Sequence, residues 1–254
     1  MISCDHLVQL NIQMSDNIDS KSAQSLASFL SSTKSLRELS LTVGASVQTT
    51  SIVLGGLSRN KSISMLSLTE LSLYKSQLGS WKTLFKSNRM LRDFSLKIKK
   101  TKESLPVLSE FPRFLASNYW LLSISFEHEL EFQPYMFQVQ DIMRRNLTLL
   151  HRATDFGMGR HTKRCAEAFE CLCLNESLMK KVQGLNHGTE RDAMAKIKVA
   201  ARHLEENFMV IAGVVRESVV CNRKHRLQLD SIGLDNWLKI RSYLKVSDIR
   251  DSPR

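Results

Sequence analysis

The sequence is poor in the features that build flexible linkers, disulfide frameworks and membrane spans. It contains only 10 glycines and 4 prolines in 254 residues, which argues against long linkers. Its five cysteines are an odd set without paired spacing, as is typical of free thiols in a reducing compartment. The longest apolar run, residues 208–215, is far shorter than the about 20 residues that a bilayer span requires. We therefore expect a cytoplasmic protein without a membrane span.

No segment concentrates positive charge, although the formal net charge is +11. Residues 1–149 carry 17 lysines and arginines against 12 acidic residues, and residues 150–254 carry 19 against 13. The chain therefore lacks the basic arm that marks many nucleic-acid-binding proteins. The densest basic run comprises Lys97, Lys99, Lys100 and Lys102. We interpret it as a solvated loop, with a phosphate-binding patch as the alternative.

What the sequence does contain is a repeated phrase. Its clearest copies are FLSSTKSLRELSL (29–41), GLSRNKSISMLSL (56–68), LFKSNRMLRDFSL (84–96) and FLASNYWLLSISF (114–126). Each copy has a Thr or Asn anchor, and weaker copies follow at two further asparagines. The anchors are Thr33, Asn60, Asn88, Asn118, Asn146 and Asn175, which are 27, 28, 30, 28 and 29 residues apart. A partial copy, with Leu7, Leu10 and Ile12, precedes them.

Each repeat combines two sequence patterns. Apolar residues at helical spacing precede the anchor, as at Ala23, Leu26, Ala27 and Leu30. The phrase L-x-x-L-x-L follows it, and its last two apolar residues alternate as in a short strand. Asn tolerates the left-handed conformation that ends helices, so the anchor is predicted to mark a turn. Single units of helix, turn and strand cannot bury their apolar sides, but a stack of them shares one core.

This pattern resembles the leucine-rich repeat family, and its period and N-x-x-L-x-x-L-x-L phrase are similar to the ribonuclease-inhibitor-like class. The resemblance covers roughly residues 4–182. It implies an α/β solenoid, a horseshoe of six to seven repeats with short parallel strands on the concave side and helices on the convex side. The sequence departs from the family where a buried Asn or Cys ladder is usual after each strand. Those positions are Ser15, Gly44, Leu71, Lys99, Glu129 and Gly157. Polar residues also replace apolar ones in the last two predicted strands, at Arg152, Thr154 and Lys181.

The residues that flank the alternating apolar positions should point to the concave surface, because side chains alternate along a strand. They are small, polar and slightly acidic, with four carboxylates against one lysine. The predicted protein-binding residues among them are Glu38, Ser40, Met65, Ser67, Asp93, Ser95, Lys97, Ser125, Glu127 and Asp155. The alternative is a merely solvated surface. Nucleic acid is disfavoured because the working face lacks cations and stacking aromatics.

A different pattern begins near residue 183. The sequence TERD, with Thr189 and Asp192, is a capping box that begins a helix. An apolar stripe at helical spacing follows, from Met194 to Val215. We predict a solenoid over residues 1–182 and an α-helical cap with a short polar tail over residues 183–254, with a helix offered to a partner as the alternative. Because the chain opens inside a repeat, we also expect it to be part of a longer protein.

No motif points to catalysis, a cofactor or a metal. The histidines lack metal-binding spacing, and Cys165, Cys171 and Cys173 do not form paired C-x-x-C halves. We therefore expect a non-enzymatic scaffold that binds another protein and takes no small-molecule substrate or cofactor. The family resemblance implies a role like that of innate-immune sensors. Its alternatives are a GTPase-activating protein of the Ran type and a substrate adaptor of a ubiquitin ligase.

Overall fold

The computed structural model describes residues 6–14, 18–43, 46–99, 101–127, 133–215 and 234–250. The chain divides into two compact units, residues 1–147 and 148–254. The predicted domain boundary at residue 182 stays a prediction. The tail and parts of the predicted loops at residues 44 and 129 lie outside the described residues.

The first unit alternates strands with helices. Its strands are β1 (Gln9–Met14), β2 (Glu38–Val43), β3 (Met65–Ser72), β4 (Asp93–Lys99) and β5 (Ser123–Glu127). Its helices are α1 (Ser20–Ser32), α2 (Val47–Arg59), α3 (Leu78–Ser87), α4 (Ser104–Leu108) and α5 (Phe111–Leu115). A short 3-10 turn, Lys75–Gln77, precedes α3. Helix α6 (Gln133–Gly157) follows β5.

The five strands form one parallel sheet in the chain order β1-β2-β3-β4-β5. Equivalent positions of the phrase pair with one another, so that Leu39, Leu66, Phe94 and Ile124 lie side by side. The predicted helix–turn–strand repeat and parallel strands are therefore confirmed. The register shifts once, between Leu68 and Leu71, where Glu70 takes a positive φ of 58°.

The anchor asparagines hold the repeats together differently from the prediction. Asn60 and Asn88 follow their helices in an extended conformation, with ψ of 140° and 116°, and not in the left-handed one. Their buried side-chain amides reach back to the helix of the preceding repeat. Asn60 donates to the carbonyl of Leu30 in the last turn of α1, at 2.6 Å, and Asn88 donates to the carbonyl of Leu57 in the last turn of α2, at 3.0 Å. Because the last carbonyls of a helix have no partner within it, these bonds satisfy groups that burial would otherwise leave unpaired.

The oxygen of each anchor turns its own chain toward the strand. Asn88 Oδ1 accepts the backbone N–H groups of Met90 and Leu91, both at 2.9 Å. The same pattern recurs at Asn60 and Asn118. A buried asparagine ladder therefore exists, but it precedes the strands.

The core of the first unit lies between the sheet and its helices. The strand leucines pack there with the apolar faces of α1 to α6. Trp81, Phe85, Phe94 and Phe111 form an aromatic cluster with ring centroids 5.2 to 6.1 Å apart. Buried aromatic pairs of this kind add about 0.5–1.5 kcal/mol each beyond area burial.

The number of repeats is smaller than predicted. The described residues contain five strands, and the weaker copies at Asn146 and Asn175 form none. Residues 147–157, where a strand was expected, continue helix α6. The fold shown is an α/β arrangement of about five leucine-rich-repeat-like units, so the prediction of six to seven is not confirmed.

The second unit is helical throughout its described part. It contains the end of α6, then α7 (Lys163–Leu172), α8 (Glu176–Asn186), α9 (Glu190–Glu206), α10 (Phe208–Ile211) and α11 (Leu234–Arg241), and a 3-10 turn (Val246–Asp248). The predicted Thr189–Asp192 capping box begins α9 and is confirmed. The predicted single apolar helix up to Val215 is interrupted, since α9 ends at Glu206 and Asn207 is not helical.

Candidate functional site

The sheet presents one face that the helices do not cover. Strand register arranges its outward side chains in rows across the strands. The first row is Gln9, Glu38, Met65, Asp93 and Ser123, and the second row is Asn11, Ser40, Ser67, Ser95 and Ser125. The parallel register alone explains these rows, because each strand repeats the same phrase in the same phase.

The two rows line an open groove, which we call the sheet groove. The strand residues Leu10, Leu39, Leu66 and Phe94 lie between the rows and contribute to its lining. The second row consists of short polar side chains, so the floor of the groove is low across all five strands. A shallow floor that crosses the strands leaves room for a segment of another molecule to reach the sheet backbone.

The charge of the sheet groove is negative. Glu38 and Asp93 are its only ionised side chains among the lining residues, and both are partly buried. Burial raises the pKa of the Asp93 carboxyl above its usual value, and the charge of Arg92 opposes that rise. A carboxylate that has lost part of its hydration gains more from an added cation than a fully hydrated one does.

The nearby guanidinium groups are engaged outside the sheet groove. Arg37 Nη1 donates to the carbonyl of Ser62 at 3.1 Å. Arg92 Nη2 donates to the hydroxyl of Ser64 at 3.3 Å. Neither arginine belongs to the groove lining. Their hydrogen bonds hold them against the turns that lead into the strands, although the charge of Arg92 still acts on Asp93.

Met65 stands between the two carboxylates. It pairs in register with Glu38 on one side and Asp93 on the other. Met65 is 42% exposed, although it lies on the central strand β3. An exposed methionine is a flexible apolar surface that adapts to different partners. The first row therefore offers a negative, an apolar and a negative contact in sequence.

Beyond the second row lies a third row, in which Lys97 pairs with Glu127 and Thr42 pairs with Thr69. Lys97 Nζ lies 2.6 Å from Glu127 Oε2, and both side chains are more than half exposed. The hydrogen bond that Lys97 donates to Glu127 raises the pKa of Lys97. Thr42 and Thr69 share a hydrogen bond of 2.8 Å between their hydroxyl groups. This third row carries no net charge at the Lys97–Glu127 pair, so it does not compete with the first row for a charged partner.

The structure brings together all the predicted binding residues except Asp155. Glu38, Ser40, Met65, Ser67, Asp93, Ser95 and Ser125 line the sheet groove, and Lys97 and Glu127 lie beside it. Asp155 belongs to helix α6, half-buried, with its carboxylate 3.5 Å from Arg160. It lies in no described strand. Whether any of these residues binds a partner stays a prediction.

The strand leucines have a role in the groove that the apolar pattern did not predict. The pattern marks Leu39, Leu66 and Phe94 as core residues, and they are buried. They also belong to the groove lining, beside the short side chains of the second row. The signal was present in the sequence, since serine recurs at the same position of four successive phrases, at Ser40, Ser67, Ser95 and Ser125.

The cysteines and the other possible metal ligands are described here only where the structure places them. Cys165, Cys171 and Cys173 form no disulfide within the described part of the chain, and burial raises the pKa of Cys173. Within the described ranges, no group of three His, Cys, Asp or Glu side chains could hold a metal ion. None of the helices described here has the length and hydropathy for crossing a bilayer.

Comparison with known proteins finds structural likeness at low sequence identity. No protein-family model matches the sequence, and no curated protein matches it. A structure of leiomodin-1 actin-binding site 2 is 17% identical, with a TM-score of 0.47 over 56% of this chain and 81% of that one. The tropomodulin C-terminal domain of Caenorhabditis elegans is 15% identical, with a TM-score of 0.47 over 57% of this chain and 87% of that one.

Proposed function

We propose that the first unit is a non-enzymatic protein-binding module that takes a segment of a partner protein in the sheet groove. The observation that carries this proposal is the registered row of serines beneath a row of charged and apolar side chains. A shallow surface of this kind can accept partner segments of many shapes, so the charge of a segment determines whether it binds. We extend to this chain the scaffold role that the sequence resemblance implies.

The physical basis is preorganisation. The sheet groove is built on paired strands whose turns are fixed by buried asparagines. Binding to such a surface orders few protein groups, so a modest set of contacts is enough for useful affinity. Loops would have to be ordered at the time of binding, which costs about 0.5–1.5 kcal/mol for each immobilised long side chain.

The other functions considered for the chain have less support. No contact between described residues favours GTPase activation, ubiquitin-ligase recruitment or immune sensing over simple binding. The cytoplasmic location inferred from the cysteines stays a prediction.

The test is a steric block of the groove. Ser67 lies in the second row on the central strand, so Ser67→Trp fills the middle of the sheet groove. The matched control is Ser28→Trp, on the exposed side of α1. We expect affinity capture with quantitative mass spectrometry to retain a partner with the wild type and with Ser28→Trp, and to lose it with Ser67→Trp.

Equal retention by all three proteins would show that the groove is not the binding surface. Circular dichroism and urea unfolding must first show that Ser67→Trp is folded. If it is not, Ser40→Tyr, in the same row on β2, replaces it.

A further inference from the structure

We propose that the partner segment is a cationic amphipathic helix that lies across the strands. Two basic side chains seven residues apart would contact Glu38 and Asp93, and an apolar side chain between them would contact Met65. This inference rests on the proposed function of the sheet groove, and it names the chemistry of the segment that the groove selects.

Charge is the first argument. Among the lining residues, the ionised side chains are both acidic, and the nearest guanidinium groups are hydrogen-bonded to turns outside the lining. The Lys97–Glu127 pair beside the groove is self-neutralised. An acidic partner would meet two like charges and no cation among these lining residues, and like charges across an interface are strongly unfavourable.

The positive net charge of the whole chain does not overturn this argument. Helices α1, α2 and α3 contain no acidic residue, and they carry Lys21, Arg59, Lys82 and Lys86. These side chains belong to the helix layer, while Glu38 and Asp93 lie on the uncovered face of the sheet. The groove lining itself contains these two carboxylates and no cation, so a basic side chain of a partner would meet them directly.

Spacing is the second argument. Neighbouring strands lie about 4.8 Å apart, so the equivalent positions of β2 and β4 are about 10 Å apart. Glu38 and Asp93 occupy those positions, with Met65 midway. On an α-helix, residues seven apart are about 10.5 Å apart on one face, and residues three or four along lie midway between them. The first row therefore matches two turns of a helix.

An extended segment fits this row less well. Side chains on one face of a strand recur about every 6.8 Å, so no pair on that face reproduces a separation of about 10 Å. A strand would also bind by extending the sheet at an edge, and the carboxylates lie on its face.

The experiment is a selection from a library of random peptides of about 16 residues, just over four helical turns, displayed on phage. The bait is the wild-type chain, and binders to Ser67→Trp are subtracted. We expect enriched sequences to carry Lys or Arg seven residues apart, with Leu, Met or Phe three or four residues along. A synthetic enriched peptide is then titrated against the wild type by fluorescence anisotropy.

Neutral isosteres test the two carboxylates. We expect the double variant Glu38→Gln, Asp93→Asn to lower the affinity for the peptide about a hundredfold. This is roughly tenfold for each charge-assisted hydrogen bond that the double variant removes. The control Glu127→Gln, outside the groove lining, should change affinity by less than about threefold. A proline in the middle of the peptide should abolish binding, because proline breaks a helix.

The outcomes separate the two proposals. Enrichment that Ser67→Trp abolishes, but without basic pairs or without sensitivity to the neutral variants, would leave the binding groove in place and overturn the cationic partner. Binding that survives the central proline would overturn the helix. No enrichment over Ser67→Trp would count against both proposals.

Discussion

Two regions of this chain carry the same anchor spacing and adopt different structures. Asn60, Asn88 and Asn118 are each followed by a strand, whereas Asn146 lies inside the helix α6. Asn146 retains the donor contacts of the other anchors, because its amide donates to the carbonyls of Asn118 and Leu121 at 3.0 and 2.7 Å. It therefore satisfies the preceding repeat as the other anchors do.

The difference lies in the side-chain oxygen. In the strand-forming copies this oxygen accepts the N–H groups two and three residues along, and so fixes a turn. At Asn146 it accepts from the Arg145 guanidinium instead, at 2.9 to 3.1 Å. Its own backbone is then free to remain helical. At the asparagine anchors the donor contact joins a repeat to its neighbour, and the acceptor contacts are present where a strand follows.

The largest effect is expected when a ladder asparagine is removed. Asn88→Ala leaves two backbone N–H groups and the Leu57 carbonyl without their side-chain partner. Each unsatisfied buried group costs about 1–3 kcal/mol, so we expect the free energy of unfolding to fall by about 3 kcal/mol or more. Urea denaturation followed by circular dichroism measures it.

The control is the same change at Asn175, the anchor in the second unit. Asn175 is the N-cap of α8, and its oxygen accepts the Ser177 N–H at 2.7 Å. Loss of an N-cap costs about 1 kcal/mol. Equal losses for the two variants would mean that the ladder does not stabilise the repeats beyond ordinary capping.

A smaller effect, with opposite signs in the two regions, is expected from glycine. A Cβ at Gly56 would lie 2.6 Å from the carbonyl oxygen of Ala27, because α1 and α2 approach closely there. Gly56→Ala should therefore cost about 1–3 kcal/mol. At Gly184, in α8, an added Cβ would meet no described atom within 4 Å apart from its chain neighbours and the backbone of its own helix, so Gly184→Ala should stabilise by about 0.5–1 kcal/mol. Thermal unfolding of the two variants against the wild type distinguishes these signs.

The sequence predicts the repeat region well because one constraint, the burial of apolar positions by stacking, acts at every copy. It is why Leu39, Leu66 and Phe94 pair in register. The prediction fails after Asn146, although a signal was present. Buried residues continue through that anchor at helical spacing, at Val139, Met143, Asn146, Leu150 and Ala153. An anchor within an unbroken helical stripe predicts helix.

The groove could be predicted in position but not in its electrostatics. The alternation of side chains along the strands is enough to place Glu38, Met65 and Asp93 on one surface. Which charges on that surface remain available depends on contacts distant in the sequence. Lys97 pairs with Glu127, 30 positions along the chain, and Arg37 donates to Ser62. The repeat period aligns Lys97 with Glu127, but it does not place Arg37 against Ser62, because these two residues hold different positions in their phrases.

The smallest expected effect is a difference in pH dependence between the two units. Burial raises the folded-state pKa of Asp93, so its contribution to stability is complete below about pH 3.8 and is lost as pH rises through the folded pKa. Asp93→Asn should therefore be slightly more stable than the wild type at neutral pH, and the difference should vanish toward about pH 3. Thermal unfolding of both proteins across this pH range measures it. Binding in the sheet groove should weaken in the same variant.

His161 in the second unit should behave in the opposite way. Burial and the neighbouring His203, whose ring is stacked at 3.8 Å, lower the pKa of His161. Its contribution to stability is then complete above about pH 6.5 and is lost as pH falls through the folded pKa. The melting temperature of the wild type should fall more between about pH 7.5 and pH 5 than that of His161→Asn. The same slope in both proteins would show that the stacked pair does not penalise protonation of His161.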